Sequence, residues 1–237
     1  MTKLRGPVVA IDGPAGAGKS TVARGVAREL GYLLLDTGAL YRSVALAASR
    51  LGVDDAAGIA RVAHDLAQRG RVRFEGSVDE QRVLLDGEDV SRAIRTQEMS
   101  TRASKVSAIP EVREALLELQ RQAGREGRVV VEGRDIGSVV FPESPAKFFL
   151  TASVEERASR RFEELRQKQH DVTLPVVEAE VRERDRRDSN RPVAPLTQAP
   201  DAVLLDSTGL PIEEVVRRIV ARVRAVERDM QAGAAGG

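Results

Sequence analysis

Residues Gly13-Pro-Ala-Gly-Ala-Gly-Lys19-Ser20 form an octet in which two glycines, five apart, are followed by lysine and serine. Each part suits the capture of a polyphosphate. Glycines let successive backbone N–H groups turn inward on an anion. A helix opening at Lys19 adds its unpaired amides and its dipole. Lys19 reaches the terminal phosphates, and the Ser20 hydroxyl is placed to ligate Mg²⁺. The reading makes Gly13, Pro14, Ala15, Gly16, Ala17, Gly18, Lys19, Ser20 and Thr21 a nucleotide-phosphate-binding loop, with Ser20 its metal ligand.

The flanks must hold that loop in place. Val8–Asp12 is a short apolar run stopped by Gly-Pro, as a buried strand should be. From Lys19 to Leu30, the apolar residues Val22, Val26, Ala27 and Leu30 recur at helical spacing. Leu33–Asp36 reads as a second strand, and helices follow near Ala39–Leu51 and Ala56–Gln68. Strand–helix alternation at this pace predicts a parallel sheet with helices on its faces. The pattern changes at residues 71–94. There alternating residues around Gly76-Ser77 and Asp86-Gly87 predict a small antiparallel β insert. Helices near Thr96–Val106 and Glu111–Arg125 come next, then strands at Val129–Val131 and Ala146–Leu150. Charged helices near Val154–Gln169 and Val176–Asp188 suggest a helical lid over residues 155–191. A last strand at Ala202–Leu205 and a helix at Ile212–Asp229 complete a single α/β domain, with residues 230–237 expected as a disordered tail.

Composition narrows the function. The chain has 237 residues, 31% of them charged, yet its net charge is only +1. That balance argues against a binder of nucleic-acid polymers. The lysines are Lys3, Lys19, Lys105, Lys147 and Lys168, so nearly all positive charge is arginine, the residue whose planar fork grips phosphate and carboxylate. There is no cysteine, and His64 and His170 are far apart, which leaves no basis for a structural zinc. No apolar run approaches transmembrane length, and the N-terminal stretch lacks a cleavage pattern, so a cytoplasmic chain acting without a membrane is expected. The octet alone fits a switch GTPase, a motor ATPase or a small-molecule kinase. A guanine-reading Asn-Lys-x-Asp is missing, and Asp206-Ser-Thr-Gly209 reads as a turn into the final helix. A small kinase leads, with a nucleotide-binding switch behind it.

Further blocks carry a resemblance. Leu34–Arg42 (LLDTGALYR), Glu88–Glu98 (EDVSRAIRTQE), Pro110–Leu116 (PEVREAL), Glu132–Pro142 (EGRDIGSVVFP), Arg187–Leu196 (RDSNRPVAPL) and Leu204–Leu210 (LLDSTGL) resemble the bacterial cytidylate kinase family in the same order, from Val8 to about Arg218. Glu132 stands where many relatives have Asp, and Ser138 where Thr is frequent. The resemblance implies a P-loop kinase fold with a β insert in the monophosphate-binding part. It also implies transfer of a phosphoryl group from ATP, with Mg²⁺, to CMP or dCMP; a kinase for UMP or another small acceptor is the alternative. A monomer is expected.

By the same resemblance, Thr37, Arg42 and Arg134 lie around the acceptor phosphate. Ser104, Arg113 and Asp135 face the cytosine ring with Arg191 close by, and Arg184 and Asp188 meet the sugar. Lys19, Arg134 and Asp135 form the implied catalytic set. The residue types suit the task, because cytosine offers an amine to an acid or hydroxyl, and a carbonyl and ring nitrogen to arginine. Ordinary exposed ion pairs compete as the reading of Arg182–Arg191. Arg157, Arg160 and Arg161 are candidate lid arginines, Arg157 and Arg161 sharing a helical face. His64 and His170 match nothing catalytic.

Overall fold

The computed structural model describes residues 6–167 and 171–235. Five parallel strands form the central sheet: β1 (Val8–Asp12), β2 (Leu33–Asp36), β6 (Val129–Glu132), β7 (Ala146–Thr151) and β8 (Val203–Asp206), in the order β2-β6-β1-β7-β8. β1 lies at the centre, pairing Val9 with Val130 on one side and Ala146 on the other. All five of its residues are buried, as a strand covered on both faces requires.

On one face, α1 (Lys19–Leu30) and α8 (Ile212–Ala235) pack over Val9, Ile11, Phe148 and Leu150. On the other, α5 (Pro110–Ala123) and the turn after β6 cover Val8, Ala10, Val129 and Val131. A second core joins α2 (Thr37–Arg50), α3 (Ala56–Gln68), α4 (Gln97–Val106) and α5, with Leu40, Leu66, Ile94 and Leu116 fully buried in it. Each such side chain contributes about 1.5–3 kcal/mol by leaving water.

The expected insert is a separate antiparallel sheet of β3 (Val72–Glu75), β4 (Arg82–Leu85) and β5 (Glu88–Asp89). Asp86 and Gly87, with φ of 53° and 85°, make the tight turn of its second hairpin, where two positive φ values match the strand twist. Val72, Val83 and Leu85 anchor the insert in the second core. Two antiparallel-packed helices, α6 (Val154–Gln167) and α7 (Leu174–Asn190), occupy the lid region. His170 and the end of the first charged helix lie outside the described residues.

One boundary differs clearly. α8 continues to Ala235, where the sequence reading ends it at Asp229 and begins a disordered tail. No proline interrupts Gln231–Ala235, and alanine carries the helix on despite Gly233. Among the described residues, no helix is long and apolar enough to cross a membrane.

Candidate active site

The phosphate loop leaves the carboxyl end of β1. Gly13 takes φ +144° so close to β7 that an added Cβ would stand 1.9 Å from the Leu150 carbonyl oxygen, which forbids any other residue there. Gly18 is the N-cap of α1 and has no side chain to occupy the helix's first amides, so they face the loop. Lys19 folds back, its Nζ donating to the Pro14 carbonyl at 2.7 Å. Burial pushes its pKa well down; Arg134 and Arg184 push the same way, while Glu132 and Asp188 oppose them.

Six other elements bring side chains to this loop: β2, α2, α4, α5, β6 and α7. Asp36 ends β2 and caps α2, with Oδ1 accepting from the Ala39 amide at 3.0 Å and Oδ2 paired with Arg42 at 2.6 Å. That cap fixes the turn on which Thr37 donates to the Glu132 carbonyl at 2.7 Å. Thr96 caps α4 and so orients Ser104, whereas Pro110 opens α5 three residues before Arg113. Arg134 and Asp135 follow directly from β6. α7 directs Arg184, Arg187 and Asp188 inward at helical spacing, and Arg191 ends it.

These groups line one continuous cleft of about 980 Å³. Thr37, Arg42, Ser104, Arg113, Arg134, Asp135, Arg184, Asp188 and Arg191 all face it, together with Gly16, Lys19, Ser20 and Thr21 of the loop. Inside it, Asp188 accepts from Arg134 Nε at 2.9 Å and from the Ser104 hydroxyl at 3.5 Å. Burial alone would raise the Asp188 pKa, but Arg134 and Arg184 overcome it and hold the carboxyl below its usual value. Asp135 is held by Arg113 on one oxygen and by Arg191, 3.4 Å away, on the other. Arg113 also lies over the Tyr41 ring, 5.6 Å from its centroid. Burial, reinforced by Arg134, lowers the Arg184 pKa to about 10. The Nε atoms of Arg42 and Arg184 are buried and bond to no other group among the described residues. A cleft with this surplus of arginine donors suits phosphate esters.

The structure separates the three lid arginines. Arg160 and Arg161 line the cleft, but Arg157 does not. Its guanidinium is buried against the loop, donating to the Ala15 carbonyl at 3.1 Å, the Ala152 carbonyl at 2.9 Å and Asp185 at 2.6 Å. Helical phase puts Arg157 and Arg161 on one stripe, yet the near end of that stripe packs on Gly16 while the far end reaches Gln97. The reading of Arg182–Arg191 as exposed ion pairs holds for Arg182 and Arg186, bonded to Glu178 and Glu183, and fails for Asp188, which is 4% exposed. His64 is exposed on α3. Asp206 accepts from the Thr208 amide and hydroxyl, which makes its segment a turn.

Sequence reasoning missed Asp36, Tyr41, Arg187 and the role of Glu132 as a lining group. Burial raises the Glu132 carboxyl pKa, Asp36 adds to this, and Lys19 and the Ser20 hydroxyl oppose it. Asp36 and Glu132 are each the last residue of a parallel strand, where open α/β sheets gather their ligands, and that position was the available signal.

A parallel sheet whose central strand feeds a phosphate loop, facing helices that crowd arginines over it, is the construction of a P-loop kinase. Known proteins narrow that class. The sequence profile of cytidylate kinases matches residues 9–225. A cytidylate kinase from Geobacter sulfurreducens is 53% identical over 226 residues, covering 94% of this chain and 95% of its own. Another, from Symbiobacterium thermophilum, is 50% identical over 220 residues, covering 92% and 96%. The chain belongs to the cytidylate kinase family. A solved structure of an uncharacterized protein from Eubacterium ventriosum shares the fold alone, at TM-score 0.52 and 10% identity over 93% of this chain and 99% of that one.

Proposed function

We propose that this protein transfers the terminal phosphoryl group of ATP to the 5′-phosphate of CMP or dCMP, giving ADP and CDP or dCDP. One observation carries the reading: the phosphate loop and the Ser104, Arg113 and Asp135 side chains open into the same cleft. A donor and an acceptor can meet there without leaving it. The acceptor oxygen attacks the γ-phosphorus as the bond to the β-bridging oxygen breaks. A phosphate dianion has no proton to lose, so alignment and charge neutralisation do most of the work. Lys19 and the loop amides take the donor phosphates, Arg42 and Arg134 the acceptor phosphate, and Arg160 and Arg161 close over the transfer and exclude water. Asp135, Arg113 and Ser104 read the cytosine edge, with Arg191 holding Asp135, while Arg184 and Asp188 meet the sugar.

Mg²⁺ fits the donor set. Ser20 and Glu132 offer hard oxygens beside the loop, and no cluster of three or more acids or histidines able to hold a metal exists among the described residues. That is the pattern for an ion that keeps water and leans on substrate phosphates. When bound, Mg²⁺ neutralises phosphate charge; the Ser20 hydroxyl would be its protein ligand.

A coupled ADP-release assay across nucleoside monophosphates tests the proposal. CMP and dCMP should exceed UMP, AMP and GMP in kcat/KM by at least ~100-fold, since a carbonyl in place of the amine leaves buried partners unpaired. AMP as the best acceptor would remove the assignment of Ser104, Arg113 and Asp135.

A further inference from the structure

Asp12 ends β1, one residue before the phosphate loop, and is 4% exposed. It is not among the residues lining the cleft. Both its carboxylate oxygens accept from backbone amides far along the chain: Oδ1 from Ile136 at 2.8 Å and Oδ2 from Gly137 at 2.7 Å. Those amides open the π-helical turn Ile136–Val140, immediately after Asp135. Asp135 itself has φ −146° and ψ 25°, outside regular helix or strand, and the turn that Asp12 holds begins at the residue after it. Packing is close as well, because a Cβ on Gly137 would stand 3.2 Å from the Lys147 stem and 3.4 Å from Asp12 Oδ2.

An acid is an expensive residue for this place. Burial pushes its carboxyl up to about 6, although the two amides and Lys19 pull it down while Asp135 pushes it further up. An apolar residue would end a buried strand at lower cost. What an apolar residue cannot do is grip two neighbouring amides at once.

We propose that Asp12 is a positioning residue for acceptor selection: it pins the Ile136–Gly137 turn to the strand that carries the phosphate loop, and so fixes Asp135, with Arg113 and Arg191, relative to the donor phosphates. The proposal rests on the reading of Asp135 as a reader of the cytosine ring. A carboxylate displaced by about 1 Å commonly costs a hundredfold, so a second shell that sets its place is part of selectivity.

The test compares wild type, Asp12→Asn, Asp135→Ala and the double variant. The readouts are kcat/KM for CMP and for UMP, KM for ATP, and the thermal midpoint. Asn at residue 12 sets an NH₂ group against one of the two amides. CMP kcat/KM should then fall by about ten- to a hundredfold, the CMP-to-UMP ratio by about tenfold or more, and KM for ATP should stay within about threefold. In the Asp135→Ala background, Asp12→Asn should leave the ratio unchanged, because one residue acts through the other. Asp12→Glu keeps the acid one methylene out of place and should not restore the ratio. Loss of stability with the CMP-to-UMP ratio intact overturns the proposal, as does failure of both Asp12 variants to fold, since either makes the residue merely structural. A wild-type enzyme that does not prefer CMP over UMP sinks the cytosine reading first, and this role with it.

Discussion

On the proposed reading, the donor side of the cleft is made of backbone and the acceptor side of side chains. Around Gly13–Ser20, peptide amides, one helix terminus and one lysine do the work, all within a single stretch of chain. Around Asp135 and Asp188, arginines and acids from the β2–α2 junction, α5, the end of β6 and the end of α7 hold one another in ion pairs. Backbone amides take any polyphosphate, because every nucleotide donor carries the same one. Side chains discriminate, because each edge of a base has its own pattern of donors and acceptors. The donor side should therefore be sensitive at one residue, and the acceptor side should fail in a graded, partner-dependent way.

The largest effect tests the donor side. Lys19→Ala should lower kcat by about 10³-fold, the scale of such charge contacts, while the chain still folds. The lysine is buried at a cost, with Arg134 and Arg184 pressing on it, so its loss takes little from the core. A variant keeping more than about a tenth of wild-type kcat would show that the amides alone suffice.

The next effect crosses from one side to the other. Folded Asp12 titrates near 6 against the usual 3.8, so between those values the folded chain holds a proton that the unfolded chain has lost. Stability from this group is therefore full below about pH 4 and declines as pH rises through 6, by about 3 kcal/mol in all. Unfolding free energies of wild type and Asp12→Asn, measured from pH 4 to 7, isolate it from other acids. The wild type should lose ground against the variant as pH rises, and a constant difference would refute the raised carboxyl. A chain that keeps an ionised acid here at neutral pH trades stability for geometry.

Third comes the acceptor side. Asp188→Ala removes a charge-assisted contact worth ~1.5–3 kcal/mol, so kcat/KM for the monophosphate should fall roughly ten- to a hundredfold. CMP and dCMP should suffer unequally, because only one carries a 2′-hydroxyl. ATP affinity measured without acceptor should barely change. Equal and trivial losses for both acceptors would confine Asp188 to holding Arg134.

The same contrast explains what the sequence makes legible. The phosphate loop is contiguous, so its glycines and lysine predict their own geometry. The acceptor candidates are scattered from Thr37 to Arg191, and only a family resemblance linked them before the sheet and helices gathered them into one cleft. Asp12, Asp36 and Glu132 escaped because an acid closing an apolar run looks like the end of a strand and nothing more. Once the strands are parallel, all three come together at the carboxyl end of three adjacent strands. Arg157, expected in the lid, was misplaced for a related reason: helical phase gives the stripe, but which end meets the loop depends on how α6 sits on Gly16.

The smallest effect marks where the contrast should vanish. Arg28, on α1, pairs with Asp79 in the loop between β3 and β4, and both side chains are more than half exposed. Nearby, Gln81 Nε2 donates to the Leu34 carbonyl at 2.9 Å, and Val78 packs on the core under α1. The insert is therefore tied to the sheet by a partly buried apolar contact and a side-chain bond to the β2 backbone as well as by the exposed pair. Water screens that pair and two long side chains lose freedom in making it, so it adds at most about 0.5 kcal/mol. Arg28→Ala should leave kcat and KM for both substrates unchanged and shift the denaturant midpoint only slightly, whereas Gln81→Ala, which faces the cleft, should raise KM for CMP more than KM for ATP. A larger effect from Arg28 than from Gln81 would mean that the exposed pair, rather than the contact on β2, sets the position of the insert over the acceptor.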